Sequence, residues 1–365
     1  MQTLILPADA SGIETAVSLL AAGEVVAMPT ETVYGLAGHA FDEAAVLKIF
    51  AAKQRPSFDP LIVHLAEVKG MSLVWLAAEQ LIDLAAIPAS LRAPLDRLIK
   101  SCWPGPLTLV LPRHQRVPEL VTSGLATVAL RVPAHPVAQA LLRQSFPLAA
   151  PSANRFGRVS PTAAAAVYAE LAGRIPLILD GGRCDIGIES TVVGIDGEQL
   201  SLLRPGRLGQ YALEVAAGCA LSLNQPHPAE VRAPGMLTSH YAPATPVVLA
   251  ATRADLPALL ASHAGSPGVL LLSEPEPRLR ALLSERRAVI ELLSVTGQLE
   301  EVARRLFAGL RELDGRCDVI FAELPAAEDG LAHAIRDRLG KAAAQPHVLA
   351  SSKNASQSSL GRTAK

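Results

Sequence analysis

Val25-Val26-Ala27-Met28-Pro29-Thr30-Glu31-Thr32-Val33-Tyr34-Gly35-Leu36 decides how this chain folds. Four apolar residues run straight into a hydroxyl-rich turn that closes at Gly35. A buried strand delivers polar side chains to the rim of a sheet in this way, which points to an α/β protein with a site at a strand end. Outward from it, a helical stretch over about 42–53 ends in Lys53-Gln54-Arg55-Pro56, and far downstream stands Pro151-Ser152-Ala153-Asn154. Two cations one residue apart, joined by a second polar turn, read as a polyphosphate site. Neither a P-loop nor a dinucleotide glycine fingerprint occurs, and the looser glycine run Gly181-Gly182 through Gly187 has no lysine after it. Any nucleotide must be held by separated groups.

The 365 residues suffice for two domains. Half are hydrophobic but only 4% aromatic, with Ala and Leu abundant, which favours a helix-rich α/β protein over an all-β one. A net charge of −1 leaves no global field for nucleic acid or membrane. Locally, Arg113, Arg116, Arg131, Arg143, Arg155 and Arg158 face a single nearby acid, Glu119. A solvated face and a concave anion site account for them about equally. Cys102, Cys184, Cys219 and Cys317 are too widely spaced for a zinc knuckle or a redox pair. The first residues lack a basic leader, and no apolar run approaches the ~20 residues of a membrane span. A soluble cytoplasmic protein is expected.

Ser11-Gly12-Ile13-Glu14 reads as a capping box opening a helix that Gly23 closes. Strands follow at Val25–Met28, Leu61–Leu65, Leu107–Leu111, Thr127–Arg131, near Leu148, and at Leu177–Asp180, Thr191–Ile195 and Leu200–Leu203. Some are linked too tightly for crossover helices, so residues 1–208 should form a mixed, twisted sheet with helices. Ser160-Pro161-Thr162 reads as an N-cap with proline at N1. Residues 209–246 lose periodicity and read as a linker or lid. Regular β-α alternation over 247–345 predicts a smaller, Rossmann-like parallel α/β domain. The polar tail over 346–365 reads as disordered.

Several residues have both a structural and a chemical reading. Lys53 and Arg55 complete a helix macrodipole or clamp a phosphate. Ser152 and Asn154 form an ordinary turn or a ligand rim. Ser160 caps a helix or helps to bind an anion there. Arg131 ends a buried strand and needs a partner, an internal acid or a substrate carboxylate. His64 is a core histidine or a ligand. Glu189-Ser190-Thr191 and Arg204-Pro205-Gly206-Arg207 place further polar groups at strand ends, and His240-Tyr241-Ala242-Pro243 ends the linker, where it also reads as a hinge turn.

Together these segments resemble the threonylcarbamoyl-adenylate synthase family, the YrdC-like domain in its longer two-domain form. The resemblance rests on PTETVYGLA (29–37), Lys53-x-Arg55, DPLIVH (59–64), WPGPLT (103–108), VALRVPAHP (128–136), APSAN (150–154), SPT (160–162), GIEST (187–191), LLRPG (202–206) and PGM…HYAP (234–243). It covers about residues 10–245 in the family's order. The resemblance implies a nucleotidyltransferase that joins L-threonine, bicarbonate and ATP into threonylcarbamoyl-AMP and releases pyrophosphate. The product would feed the tRNA threonylcarbamoyl transferase machinery acting on the adenosine beside the anticodon, with weak tRNA binding by this chain as a further expectation. Thr32, His64, Arg131, Ala150 and Ser190 would line the threonine pocket. Arg55, Asp59, Thr127, Ser152, Ser160, Arg204 and Tyr241 would surround ATP, with Mg2+ on its phosphates. Lys53, Arg55, Ser152 and Asn154 would carry the chemistry, and Tyr241 would reach back from the linker. Asp59 stands where the family often has asparagine, and an acid beside a triphosphate repels it unless a cation intervenes.

Two other classes compete with this one. An RNA binder built on the 110–160 arginines would show a steep salt dependence, but the net charge and few aromatics argue against it. A carbamoyl-adenylate enzyme of hydrogenase maturation would need zinc-finger segments that the cysteine spacing excludes.

Overall fold

The computed structural model describes residues 1–56, 59–223, 240–327 and 330–344. Eleven strands form the first sheet: β1 (Leu4–Pro7), β2 (Val26–Met28), β3 (Gly35–His39), β4 (Ile62–His64), β5 (Leu107–Pro112), β6 (Thr127–Arg131), β7 (Leu148–Ala149), β8 (Leu177–Asp180), β9 (Thr191–Asp196), β10 (Gln199–Arg204) and β11 (Leu221–Leu223). Their order is β1-β8-β2-β3-β7-β4-β6-β5-β9-β10-β11, with parallel and antiparallel neighbours mixed as expected. Four all-parallel strands, β12 (Val247–Ala250), β13 (Pro267–Leu271), β14 (Val289–Leu292) and β15 (Val319–Glu323), form the second sheet in the order β12-β15-β13-β14. No described helix is long and apolar enough to cross a membrane.

Three local expectations change. The first helix, Ala10–Ala21, starts ahead of the proposed capping box, because the Asp9 side chain accepts from the Gly12 N–H at 2.9 Å and is the cap. Ser160 does not cap a helix. The helix runs Ala164–Leu171, and Pro161 and Thr162 instead lend their carbonyls to the Tyr34 and Cys184 N–H groups. The stretch read as a linker from residue 209 holds a helix, Gln210–Ala217, and strand β11, which pairs in parallel with β10 and widens the first sheet. Residues 224–239, including Pro234-Gly235-Met236, and the tail over 346–365 lie outside the described residues.

The two sheets belong to units that share a core. The helix Leu299–Leu313 presents Val302, Ala303, Leu306, Phe307 and Leu310 as one buried stripe, the spacing of an amphipathic helix. Val33, Val159 and Ile188 of the first unit and Tyr241 pack into the same cluster as Leu306 and Phe307. Gly187 makes this approach possible: its φ is +81°, and a Cβ there would lie 2.6 Å from the Ala303 carbonyl oxygen. Ion pairs cross the seam as well, with Arg158 to Asp314 at 2.9 Å and Arg311 to Glu170 at 3.1 Å. The arginine-rich stretch over 110–160 is thus no continuous basic face. Arg113 pairs with Glu119, Arg143 with Glu67, and Arg155 with Glu170, while Arg116 lies over the Phe41 ring.

Candidate active site

Strand register assembles the site. His64 of β4 pairs with Arg131 of β6, which pairs with Thr108 of β5, so the three side chains stand in a row across one face of the sheet. Ser190, just before β9, joins this row through a 2.8 Å hydroxyl contact with Thr108. The turn after β2 folds over it. Thr30 Oγ1 donates to the Val33 carbonyl and shares a hydrogen bond with Thr32 Oγ1, which fixes Thr32 above Arg131. The resulting cavity is lined by Thr32, Arg55, His64, Arg131, Ala150, Ser152, Ser190, Arg204 and Tyr241, and also by Glu189 and His240.

Arg131 has an internal acid. Its guanidinium donates to Glu31 Oε1 at 2.6 Å and to Thr32 Oγ1 at 2.8 Å. Burial raises the Glu31 carboxyl and the Arg131 charge outweighs it, so Glu31 lies below the ordinary carboxylate range. His64 is pushed down to about 3 by burial first and by Arg131 second, and is neutral at physiological pH. Its Nδ1 lies 3.2 Å from the Ile62 carbonyl, which makes Nδ1 the donor and leaves Nε2 as an acceptor.

Further cations gather beside this row. Gln54 adopts a left-handed conformation after the helix Glu43–Lys53, so both Lys53 and Arg55 turn inward. Arg55 donates to the Asp59 and Pro60 carbonyls, and its guanidinium is 2.8 Å from Asp59 Oδ2. That ion pair lacks hydrogen-bond geometry, and neither Asp59 carboxylate oxygen has a hydrogen-bond partner among the described residues. Burial therefore raises the Asp59 carboxyl despite Arg55 and Lys53. Arg204 grips Ser190 through both its carbonyl and its hydroxyl.

Five residues of the expected set stand outside the lining. Lys53 is fully buried behind the Pro151–Asn154 turn and donates to the Ser152 and Asn154 carbonyls. Burial first, then Arg55, holds its ammonium well below the ordinary lysine value. Asn154 ties the same turn to the Arg155 and Arg158 carbonyls at 2.8 Å. Asp59 lies behind Arg55. Ser160 donates to Glu189 Oε1 at 2.5 Å. Thr127 begins the strand that Arg131 ends, on the same face but roughly 13 Å away at strand spacing.

Glu31 and Arg338 carried no expectation from the sequence, and Glu189 and His240 lay in segments singled out there without being assigned to the site. Glu31 sits inside the first motif and could have been proposed as the acid that a buried Arg131 demands. Glu189 bridges the units: its other oxygen accepts from Arg338 Nε at 2.7 Å. Arg338, wholly buried on the helix Gly330–Ala343, lies 5.2 Å from the Tyr241 ring, which stacks on Phe307 at 5.5 Å. Tyr241 has φ +61°, a left-handed turn that brings its ring inward.

Fold and cavity define a two-unit α/β protein with a cavity lined by polar and cationic side chains, to which His240 and Tyr241 contribute from just before the second unit. A family profile described as telomere recombination, covering Sua5, YciO and YrdC proteins, matches residues 18–206, and one described as the threonylcarbamoyl-AMP synthase C-terminal domain matches residues 203–344. The threonylcarbamoyl-AMP synthase of Pyrococcus abyssi is 39% identical over 90% of this chain and 93% of its own length. That of Bacillus subtilis is 41% identical over 91% and 92%. The crystal structure of P. abyssi Sua5 complexed with L-threonine superposes with a TM-score of 0.77 at 37% identity, covering 94% of this chain and 97% of that one. The chain belongs to the threonylcarbamoyl-AMP synthase family.

Proposed function

We propose that this protein joins L-threonine, bicarbonate and ATP to give threonylcarbamoyl-AMP and pyrophosphate, as a nucleotidyltransferase serving tRNA modification. The observation that carries this reading is the union, in one cavity, of the Thr32–His64–Arg131–Ser190 row with the Arg55 and Arg204 wall. The row offers what a small amino acid needs: a guanidinium for its carboxylate, a neutral imidazole acceptor, and hydroxyls for its polar side chain. The arginine wall suits the phosphates, where guanidinium groups bind bidentately.

The threonine amine and bicarbonate first give a carbamate with loss of water. A carbamate oxygen then bonds to the α-phosphorus of ATP as the bond to the β-bridging oxygen breaks, and pyrophosphate leaves with that electron pair. This displacement depends on positioning and charge neutralisation. Arg131, steadied by Glu31, orients the carboxylate. Arg55 offsets charge on the transferred group, and Arg204 holds Ser190 against the acceptor side. Lys53 acts through the turn: by fixing the Ser152 and Asn154 carbonyls it sets the position of Ser152 at the rim.

Mg2+ enters this reading as part of the Mg·ATP substrate. No group of three metal-ligating side chains occurs among the described residues, and the nearest acid to the cationic wall, Asp59, is paired with Arg55. The free volume of the cavity is about 40 Å3, room for roughly three waters. His240 and Tyr241 stand in the wall of this cavity, where they would help to keep water from a hydrolysable product.

The test is pyrophosphate release from ATP with bicarbonate and each amino acid in turn. Release that depends on both L-threonine and bicarbonate is expected. Equal release without threonine, or none with all three, would sink the assignment.

A further inference from the structure

A second cavity opens at the seam between the units. It measures about 340 Å3 and is lined by Thr162, Arg183, Cys184, Arg304 and Arg305. Three exposed arginines, one from the first unit and two from the second, line it, and no carboxylate shares the lining. Arg183 and Arg305 make no hydrogen bond or ion pair among the described residues, and Arg304 uses only Nε, which donates to the Asp185 carbonyl at 2.8 Å.

Two further features favour an anion. The first is the glycine run that the synthase cavity leaves unused. Strand β8 ends at Asp180 and passes into Gly181-Gly182-Arg183, a turn at the carboxyl end of a strand. Gly182 has φ +85°, and a Cβ on Gly181 would meet Pro29 Cγ at 2.7 Å, so both positions take glycine to bring Arg183 round. The second is Thr162. It is only 5% exposed, it lines the cavity, and its hydroxyl has no hydrogen-bond partner among the described residues. It stands beside the amino end of the helix Ala164–Leu171, whose cap residue Ala163 has no side chain to satisfy the free N–H groups. The Cys184 thiol, pushed up to about 12 by burial, is neutral and adds no opposing charge.

We propose that this seam cavity binds a phosphate-bearing anion, either a free polyphosphate or a phosphate of a nucleic-acid backbone, at a site separate from the synthase cavity. Three arginines with no acid among them suit a multiply charged tetrahedral group better than a single carboxylate. The site also borders the catalytic loop. Just past Arg183, the N–H groups of Ile186 and Gly187 bond the Glu31 and Thr32 carbonyls at 2.8 and 3.1 Å. An anion drawing Arg183 and Arg304 together would therefore brace the turn that carries Thr32.

The test compares the full-length chain with an Arg304→Ala/Arg305→Ala double variant and with Arg305→Ala alone. Both arginines are exposed, and Arg305 has no partner to lose, so an unchanged melting temperature without ligand checks the fold. Calorimetric titration with inorganic pyrophosphate should show two sites in the wild type. The double variant should lose one of them, by roughly tenfold or more in affinity per arginine, whereas Arg55→Ala should lose the other. Binding of a full-length tRNA is followed in parallel over a range of salt. Loss of pyrophosphate binding alone assigns the site to a small anion. Weaker tRNA binding, with a log–log salt slope shallower by about 2, assigns it to the nucleic-acid backbone. The proposal is overturned if the double variant matches the wild type in both arms, or if the wild type binds neither probe at a site that depends on Arg304 or Arg305.

Discussion

His64 and Arg131 stand on adjacent strands, and burial first, with the Arg131 cation second, keeps the His64 imidazole uncharged. The consequence is measurable. A histidine whose folded value is about 3 declines a proton that the unfolded chain accepts near 6.5. Its contribution to stability is complete above 6.5 and is lost as the pH falls toward 3. His240, held well below the ordinary value by burial first and by Arg55 next, acts with the same sign. The free energy of unfolding should fall between pH 6.0 and 5.0, and in His64→Gln that slope should lessen by up to about 1.4 kcal/mol per pH unit. Urea titrations at several pH values measure it; an identical slope in the variant would show that His64 is charged in the folded state. At this scale much of the site was legible. Thr32, His64, Arg131 and Ser190 flank strand ends in recognisable motifs, and a motif fixes which face each side chain takes. Arg338 left no signal, because a charged residue on a helix reads as solvent-facing until the fold around it is known.

Among the elements, the short turn at Pro151–Asn154 shows how a charged residue can work without touching substrate. Lys53 ends one helix and holds two carbonyls of this turn from behind. Lys53→Met keeps the stem's packing but leaves those carbonyls without a donor, which should cost about 2–4 kcal/mol. Turnover should fall with it because Ser152 shifts at the rim. Chemical denaturation and pyrophosphate release measure the two effects; full stability with lost turnover would instead place the ammonium on the substrate. Strands were the most readable elements, since apolar runs such as Leu177–Asp180 and Thr127–Arg131 admit little else. The helix Gln210–Ala217 was missed because it is short, lies between Gly209 and Gly218, and exposes Tyr211 and Val215. Ser160-Pro161-Thr162 has the composition of a helix start, yet Glu189 claims the hydroxyl and neighbouring loops claim the carbonyls.

Across the whole molecule, Arg338 ties the two units together. Its side chain is fully buried; it donates to Glu189 and to the Pro205 carbonyl at 3.0 Å, pairs with Asp337 on its own helix and lies against Tyr241. Removing one member of such a buried set is worse than never having built it, about 3–5 kcal/mol. Arg338→Met should therefore lower the melting temperature and separate a single calorimetric transition into two, with the second unit melting alone. A single transition at the wild-type temperature would mean that the apolar seam suffices by itself.

That seam reaches the first motif. Thr32 faces Arg131 in the cavity, and the next residue, Val33, packs in the cluster that holds Phe307. Adjacent side chains of one loop thus answer to different units, so this protein could not exchange its second unit for a relative's as one swaps a module. A viable chimera would have to bring along Val33, Val159, Ile188, Glu189 and Tyr241 as a matched set, and those positions should drift together as such chains diverge.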